Sequence, residues 1–254
     1  QTAHLIGRKI REMGIEVKIV NPEEGLQEAR KHQPQGIIFS GGPSSVYEQG
    51  APDADKKILA LGIPVLGICY GWQLIAQQLG GRVVSGHKEY GPSQLKIVRE
   101  NPLLKKITGK DIVWLSHGDT VEKIPVGFTV WGSTENVTAS MVGNSKKKIF
   151  GVQFHPEIEH SQCGKQLLRN FVEKICHLQV SKKDDYEIKK ISKDIKEKVG
   201  DEKVICGVSG GVDSTTAAFL IGKAIGKNLY PVYIDSGLNR FATTEFVRTI
   251  FKPL

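Results

Sequence analysis

Apolar residues along this chain fall into short runs and helical spacings punctuated by glycine pairs. His4, Leu5, Ile6, Ile10 and Met13 recur at helical intervals, which predicts a helix over residues 1–13. Strand-length apolar runs follow at Val17–Val20, Gly36–Ser40 and Ile63–Ile68. The last of them leads into a helical pattern over Trp72–Leu79, closed by Gly80-Gly81. Further strands are predicted at Val83–Val84, Leu95–Val98, Ile112–Leu115, Phe128–Ser133 and Ile149–Phe154, then a helix from Gly164 to His177. Strands alternating with helices imply a layered α/β domain with a largely parallel sheet. Such a unit seldom opens on a helix, so a strand ahead of residue 1 is expected.

The pattern changes near Val180. Residues 181–198 are charged, with Ile188, Ile191, Ile195 and Val199 at three- and four-residue spacing, an amphipathic helix. The α/β alternation then restarts with strand Val204–Val208, a glycine loop, helix Thr215–Ile225 and strand Leu229–Asp235. The expected organisation is a first domain over 1–179, a charged helical linker over 180–200 and a second unit over 201–254. That second unit is too short for a whole nucleotide-binding domain and is expected to be incomplete.

Composition narrows the class. No apolar run approaches the roughly 20 residues of a membrane span, and the first residues lack a signal-peptide core. Cys69, Cys163, Cys176 and Cys206 stand at unrelated spacings, which suggests neither disulfides nor a zinc site and fits a reducing compartment, the cytosol. The net charge is +8, and charged residues cluster between Lys182 and Lys203, where lysines mix with almost as many acids. Without interleaved aromatics this is a solvated helix face rather than a nucleic-acid surface, and no nucleic-acid or membrane partner is expected. A modest positive excess suits an enzyme that handles nucleotides.

Candidate chemistry centres on Gly67-Ile68-Cys69-Tyr70-Gly71, a nucleophile between glycines where a strand turns into a helix. Small flanking residues let the backbone turn sharply, and the helix N-terminus favours thiolate. A buried structural cysteine is the alternative. Phe154-His155-Pro156-Glu157 supplies a base and a group to orient it. Residues two apart on extended backbone point the same way, so His155 and Glu157 can reach one side of the sheet.

With Ser40-Gly41-Gly42-Pro43, these segments resemble the class I glutamine amidotransferase family over nearly all of residues 1–178. The resemblance implies a flavodoxin-like three-layer fold in which Cys69 attacks the side-chain amide of glutamine, with His155 and Glu157 completing a catalytic triad. It also implies backbone donors for the oxyanion at Tyr70 and in the Gly41-Gly42 turn, taken as Gly42, and a substrate contact at Gln73. Ser116-His117-Gly118-Asp119, with Trp114 ahead of it, follows a predicted strand and resembles the W-x-S-H-G-D segment of one branch. There it helps bind glutamine and contacts a synthetase domain; from spacing alone a polar turn stays open. Glu89-Tyr90-Gly91 is similar to the E-F-G of that branch, with no catalytic role assigned.

In the second half, Ser209-Gly210-Gly211-Val212-Asp213-Ser214 lies between a strand and a helix, where glycine amides and hydroxyls can cradle an anion. The Walker lysine and spacing are absent. The hexapeptide resembles the PP-loop of ATP pyrophosphatases, of adenine-nucleotide α-hydrolase-like fold, which implies ATP binding at Ser209–Ser214, magnesium near Asp213, and an adenine contact at Ile234 in Tyr233–Leu238. Both halves in this order are similar to a glutamine-hydrolysing synthetase family that uses ATP and magnesium to adenylylate xanthosine monophosphate (XMP) and aminates it to GMP, working as a homodimer. Against that pattern, the family's opening strand is represented at most by Gln1, and the residues after Asn239-Arg240 depart from it. This chain by itself is therefore expected to hydrolyse glutamine but not to make GMP. Amidotransferases serving another acceptor, a non-catalytic module of the same fold, and pyrophosphatases that make NAD or modify tRNA are the alternatives.

Overall fold

The structure is a computed structural model that describes residues 2–180, 184–235 and 243–251. The chain forms two compact units, Gln1–Ser181 and Lys182–Leu254.

The first unit opens on α1 (Thr2–Arg11), which buries Ile6 and Ile10. The Val17–Val20 run was expected as a strand but enters no ladder among the described residues. Extended backbone becomes a strand only when its amides and carbonyls bond a neighbour. Here a cavity of about 760 Å³, lined by Ile15–Asn21 on one side and Gly36–Gly42 on another, separates this segment from the next strand. Helix α2 (Gly25–His32), which the pattern of apolar positions did not announce, precedes β1 (Ile37–Phe39).

The central elements are β2 (Val65–Ile68), α3 (Tyr70–Gln78), β3 (Arg82–Gln94), β4 (Lys96–Ile97), β5 (Ile112–Lys123), β6 (Thr129–Ser133), β7 (Met141–Asn144) and β8 (Ile149–Val152). Strand β7, like α2, was not foreseen. Helix α4 (Gly164–Asn170) follows and continues as a π-helical turn over Phe171–Ile175. Six strands form one sheet in the order β1-β2-β8-β7-β6-β4. Only β1–β2 and β2–β8 pair in parallel, and the remaining three pairings are antiparallel. The sheet is therefore mixed rather than largely parallel, because short hairpin connections join β6, β7 and β8. Its parallel part carries the site.

Strands β2 and β8 are buried along their whole length, so their side chains serve two cores. Leu66, Ile68, Phe150 and Val152 pack with α1 and α4 residues on one face. Val65 and Ile149 pack with Trp72, Ile75 and Phe128 on the other. Burial on both faces explains why these strands read as continuous apolar runs, and it makes the unit a three-layer α/β domain. Outside the sheet, β3 and β5 form a long antiparallel ribbon, with an irregularity between Ser85 and Glu89. The sequence showed only its ends, Val83–Val84 and Ile112–Leu115, because its middle is polar and glycine-containing.

The second unit contains α5 (Asp184–Val199), β9 (Val204–Gly207), α6 (Val212–Ile225), β10 (Leu229–Val232) and α7 (Thr243–Phe251). Strands β9 and β10 pair in parallel, Leu229 beside Val204. Val208, Ala218, Leu229 and Val247 form its small core. Helix α6 starts three residues ahead of the expected Thr215, with Gly211 as its N-cap. Strand β10 ends at Val232, so Tyr233, Ile234 and Asp235 lie beyond the ladder.

Candidate active site

Cys69 stands at the junction of β2 and α3 with φ 50° and ψ −110°, a conformation that side chains rarely adopt. Holding a non-glycine residue there costs on the order of 1–3 kcal/mol. The cost is met by packing on both sides. A Cβ on Gly67 would lie 2.7 Å from the backbone of Trp72, and one on Gly71 would lie 2.2 Å from the carbonyl oxygen of Phe39. The two glycines are thus needed for close approach of α3 to the sheet. Neither has a positive φ; the cysteine itself makes the sharp turn. The Cys69 amide donates to the Val152 carbonyl at 2.8 Å, extending the β2–β8 ladder to this residue.

Past its last ladder residue, the β8 chain delivers Gln153, His155 and Glu157. The His155 amide donates to the Trp114 carbonyl at 3.0 Å, which ties this segment to β5. His155 Nδ1 lies 2.7 Å from Glu157 Oε1, and both side chains are buried. Burial pushes the imidazole down, but hydrogen bonds to Cys69 and Glu157 push it up by more, to about 10. The three residues converge although Cys69 is 86 positions from His155 in sequence (155 − 69).

Two further groups touch the sulfur: the thiol lies 3.7 Å from the Ser116 carbonyl, and Gln153 Nε2 lies 3.8 Å from Sγ. Gly41 closes the other side, where a Cβ would come within 2.8 Å of His155 Cε1 and 3.6 Å of Cys69 Cβ. Gly42 lies against the Tyr70 ring. Among the described residues no hydrogen bond engages the backbone N–H of Gly42 or of Tyr70.

Ser116-His117-Gly118-Asp119 does not follow a strand; it lies inside β5. Alternate residues Val113, Leu115, His117, Asp119 and Val121 are buried, so a histidine and an aspartate occupy positions that alternation reserves for apolar residues. Gln73 Nε2 donates to the Asp119 carbonyl at 2.9 Å, and the Tyr47 hydroxyl donates to Asp119 Oδ1 at 2.9 Å. Glu89 faces His117 across the ribbon, with Oε2 3.3 Å from His117 Nε2. Burial pushes His117 below the ordinary histidine value while Glu89 pulls it the other way.

Sequence reasoning missed Tyr47 and Ser161, and it included Gln153 in the 151–157 segment of the family resemblance without giving it a role. Ser161 Oγ donates to the His155 carbonyl at 2.6 Å and accepts from the Trp114 amide at 3.0 Å. No local pattern announces such a residue. Polar residues on the inward face of β5 were the one available signal for the ribbon's part.

In the second unit, the loop before α6 is folded on itself. Ser214 Oγ accepts from the Ser209 amide at 3.1 Å and lies 3.1 Å from Ser209 Oγ. The Gly211 amide makes a longer bond of 3.4 Å to Ser209 Oγ. Gly210 has φ +80°, which suits a residue without a Cβ. Val212, Asp213 and Ser214 form the first turn of α6 rather than free loop. Ile234 is exposed, and Asp235 accepts from the Thr244 hydroxyl at 2.9 Å. Gly237, Leu238, Asn239 and Arg240 lie outside the described residues.

Comparison with known proteins finds relatives of both halves of the chain. The family model of class-I glutamine amidotransferases matches residues 1–175, and that of NAD synthase matches residues 186–244. The glutamine-hydrolysing GMP synthase of Caldicellulosiruptor saccharolyticus is 45% identical over 253 residues, which are 99% of this chain and 50% of that protein. The corresponding protein of Aquifex aeolicus is also 45% identical, over 256 residues, covering 100% of this chain and 50% of its own length. The chain spans about half the length of the curated relatives it matches. Among solved structures, a Thermoplasma acidophilum protein named as a GMP synthase subunit superposes with a TM-score of 0.64 at 30% identity, covering 70% of this chain and 89% of its own. A glutamine amidotransferase from Thermotoga maritima shares the fold at 21% identity, with a TM-score of 0.50 over 64% of this chain and 95% of its own.

Proposed function

Because this chain belongs to the class-I glutamine amidotransferase family, we propose that its first unit, residues 1–179, hydrolyses glutamine to glutamate and ammonia at Cys69. The observation that carries this is the convergence of Cys69, His155 and Glu157 beside the Gly41-Gly42 turn. Cys69 Sγ attacks the side-chain amide carbon, and the carbonyl electrons move onto oxygen. That oxyanion is met by the free N–H groups of Tyr70 and Gly42, donors of a kind worth about 10²–10³ in rate each. His155 gives its proton to the departing nitrogen, which leaves as ammonia while the oxyanion collapses to a thioester on Cys69. The same imidazole then takes a proton from water, which attacks the thioester and releases glutamate. Glu157 holds the ring through Nδ1–H. Gln73, Ser116, His117, Gly118 and Asp119 form the glutamine-binding wall, with Tyr47 fixing the Asp119 carboxylate.

In the complete protein, ammonia serves GMP synthesis from XMP and ATP. Residues 201–254 contribute the start of the ATP-binding unit, joined to the first by the charged helical segment at 180–200. The amides and hydroxyls of Ser209–Ser214 cradle the phosphates, and Ile234 meets the adenine. A phosphate at this loop exchanges the internal Ser209–Ser214 and Ser209–Gly211 hydrogen bonds for its own. Magnesium bound through phosphates needs only one or two protein carboxylates. Asp213 fits that need, although no group of three or more ligating side chains exists among the described residues. The ion neutralises phosphate charge when bound. We place the full-length enzyme in the cytosol as a homodimer. No helix among the described residues is long and apolar enough to cross a membrane.

Glutamate release by wild type and Cys69→Ala tests the first unit. Loss of activity in the variant is expected, and equal rates would leave only a binding module of the same fold. XMP-dependent exchange between pyrophosphate and ATP in the full-length protein tests the second. Exchange that ignores XMP would point to another acceptor.

A further inference from the structure

We infer that Thr2 is a positioning residue for the oxyanion site, acting through the Gly41–Gly42 peptide. This rests on the glutaminase reading above. The Thr2 hydroxyl, in the first turn of α1, donates to the Gly41 carbonyl at 2.7 Å across 39 positions of sequence. No backbone amide among the described residues bonds that carbonyl oxygen. The peptide it belongs to joins two glycines, so neither side chain restricts its plane, and the whole unit can rotate about its flanking torsions. In a trans peptide the carbonyl of one residue and the N–H of the next point to opposite sides, and no cis bond occurs among the described residues. Holding the Gly41 oxygen toward α1 therefore fixes the direction of the Gly42 N–H.

That direction matters because Gly41 is pressed between His155 and Cys69, with a hypothetical Cβ 2.8 Å from the His155 ring. A half-turn of the peptide would bring a carbonyl oxygen to the place where a donor is needed. The developing oxyanion would then be repelled instead of stabilised. Ground-state glutamine carries far less charge on this oxygen, so the consequence falls on the chemical step and not on binding. Thr2 touches neither substrate nor sulfur.

The test uses Thr2→Val, which keeps the side-chain shape without the hydroxyl, and Thr2→Ser, which keeps the hydroxyl, in the full-length protein. Losing one net hydrogen bond shifts the peptide population by about 3- to 10-fold. Thr2→Val is accordingly expected to lower kcat for glutamine hydrolysis by about that factor, with KM within about twofold of wild type. Thr2→Ser restores kcat. Inhibition by the aldehyde analogue of glutamine, whose thiohemiacetal oxygen occupies the oxyanion position, weakens in parallel with kcat. Alkylation of Cys69 by iodoacetamide, which forms no oxyanion, stays at the wild-type rate. Wild-type kcat in Thr2→Val, a change confined to KM, or an equal loss in alkylation would each overturn the inference. A wild-type protein as inactive as Cys69→Ala would instead overturn the glutaminase assignment itself.

Discussion

Ser161 binds the backbone of His155 from beneath: its hydroxyl donates 2.6 Å to the histidine carbonyl and accepts from the Trp114 amide at 3.0 Å. One buried oxygen thus joins the segment that carries the base to the ribbon strand that passes the sulfur. Ser161→Ala leaves a buried amide and a buried carbonyl short of a partner. We expect a loss of about 1–3 kcal/mol in stability, measured by urea denaturation, together with a lower kcat. An unchanged denaturation midpoint would show that water replaces the hydroxyl without loss.

The elbow stores strain at the nucleophile. Replacing Cys69 by glycine removes the side chain from φ 50°, relieving on the order of 1–3 kcal/mol while adding chain entropy to the unfolded state. Cys69→Gly is expected to abolish glutaminase activity yet match or exceed wild type in thermal stability. Cys69→Ala keeps the Cβ and should gain nothing. Calorimetry on the two variants decides the point.

Stability should fall on both sides of neutrality, through two histidines of opposite kind. The folded state raises His155 from 6.5 to about 10, so it holds that proton more tightly than the unfolded chain. This contribution is whole below about pH 6.5 and is lost as pH rises through about 10. His117 is lowered from 6.5, chiefly by burial. The unfolded chain protonates that residue first, so its contribution is present above pH 6.5 and lost as pH falls through the lower folded value. Urea midpoints against pH should show the alkaline decline flattened in His155→Gln and the acid decline flattened in His117→Gln. Unaltered profiles would contradict both assignments.

Tyr47 reaches Asp119 from a loop 72 positions away. If that carboxylate lines the glutamine pocket, Tyr47→Phe should raise KM for glutamine by about 3- to 10-fold, the range of one ordinary net hydrogen bond. Little change in kcat is expected. Steady-state kinetics would refute this placement of Asp119 if kcat fell while KM held.

The residues of the proposed triad were legible because each sits where apolar patterning breaks at a strand end: Cys69 after β2, His155 and Glu157 after β8. Strands buried on both faces advertise themselves as apolar runs, and the residues that follow them are the ones the sheet presents. The β3–β5 ribbon was harder. Its middle carries Glu89, Gly91, Ser116, His117 and Gly118, which read as a turn when pairing partners are unknown. Pairing of Glu89 with His117 is a fact of register, and register is set by both strands together. Val17–Val20 erred in the other direction: apolar content announced a strand, but no strand pairs with it among the described residues.

Which atoms could react is already written in the order of residues: sulfur between glycines, imidazole two residues from a carboxylate, and a glycine-serine loop ahead of a helix. These are local facts, since neighbouring residues constrain one another through bond geometry and chain direction. Tertiary structure alone decided that the glycines of the elbow serve close packing rather than backbone freedom. It also decided that Cys69 and Glu157 together raise His155 above the ordinary histidine value, and that Thr2, Ser161 and Tyr47 reach the site with hydrogen bonds from distant positions. Burial, charge pairing and long-range hydrogen bonds depend on distances through space, which the order of residues does not specify until the chain has closed on itself.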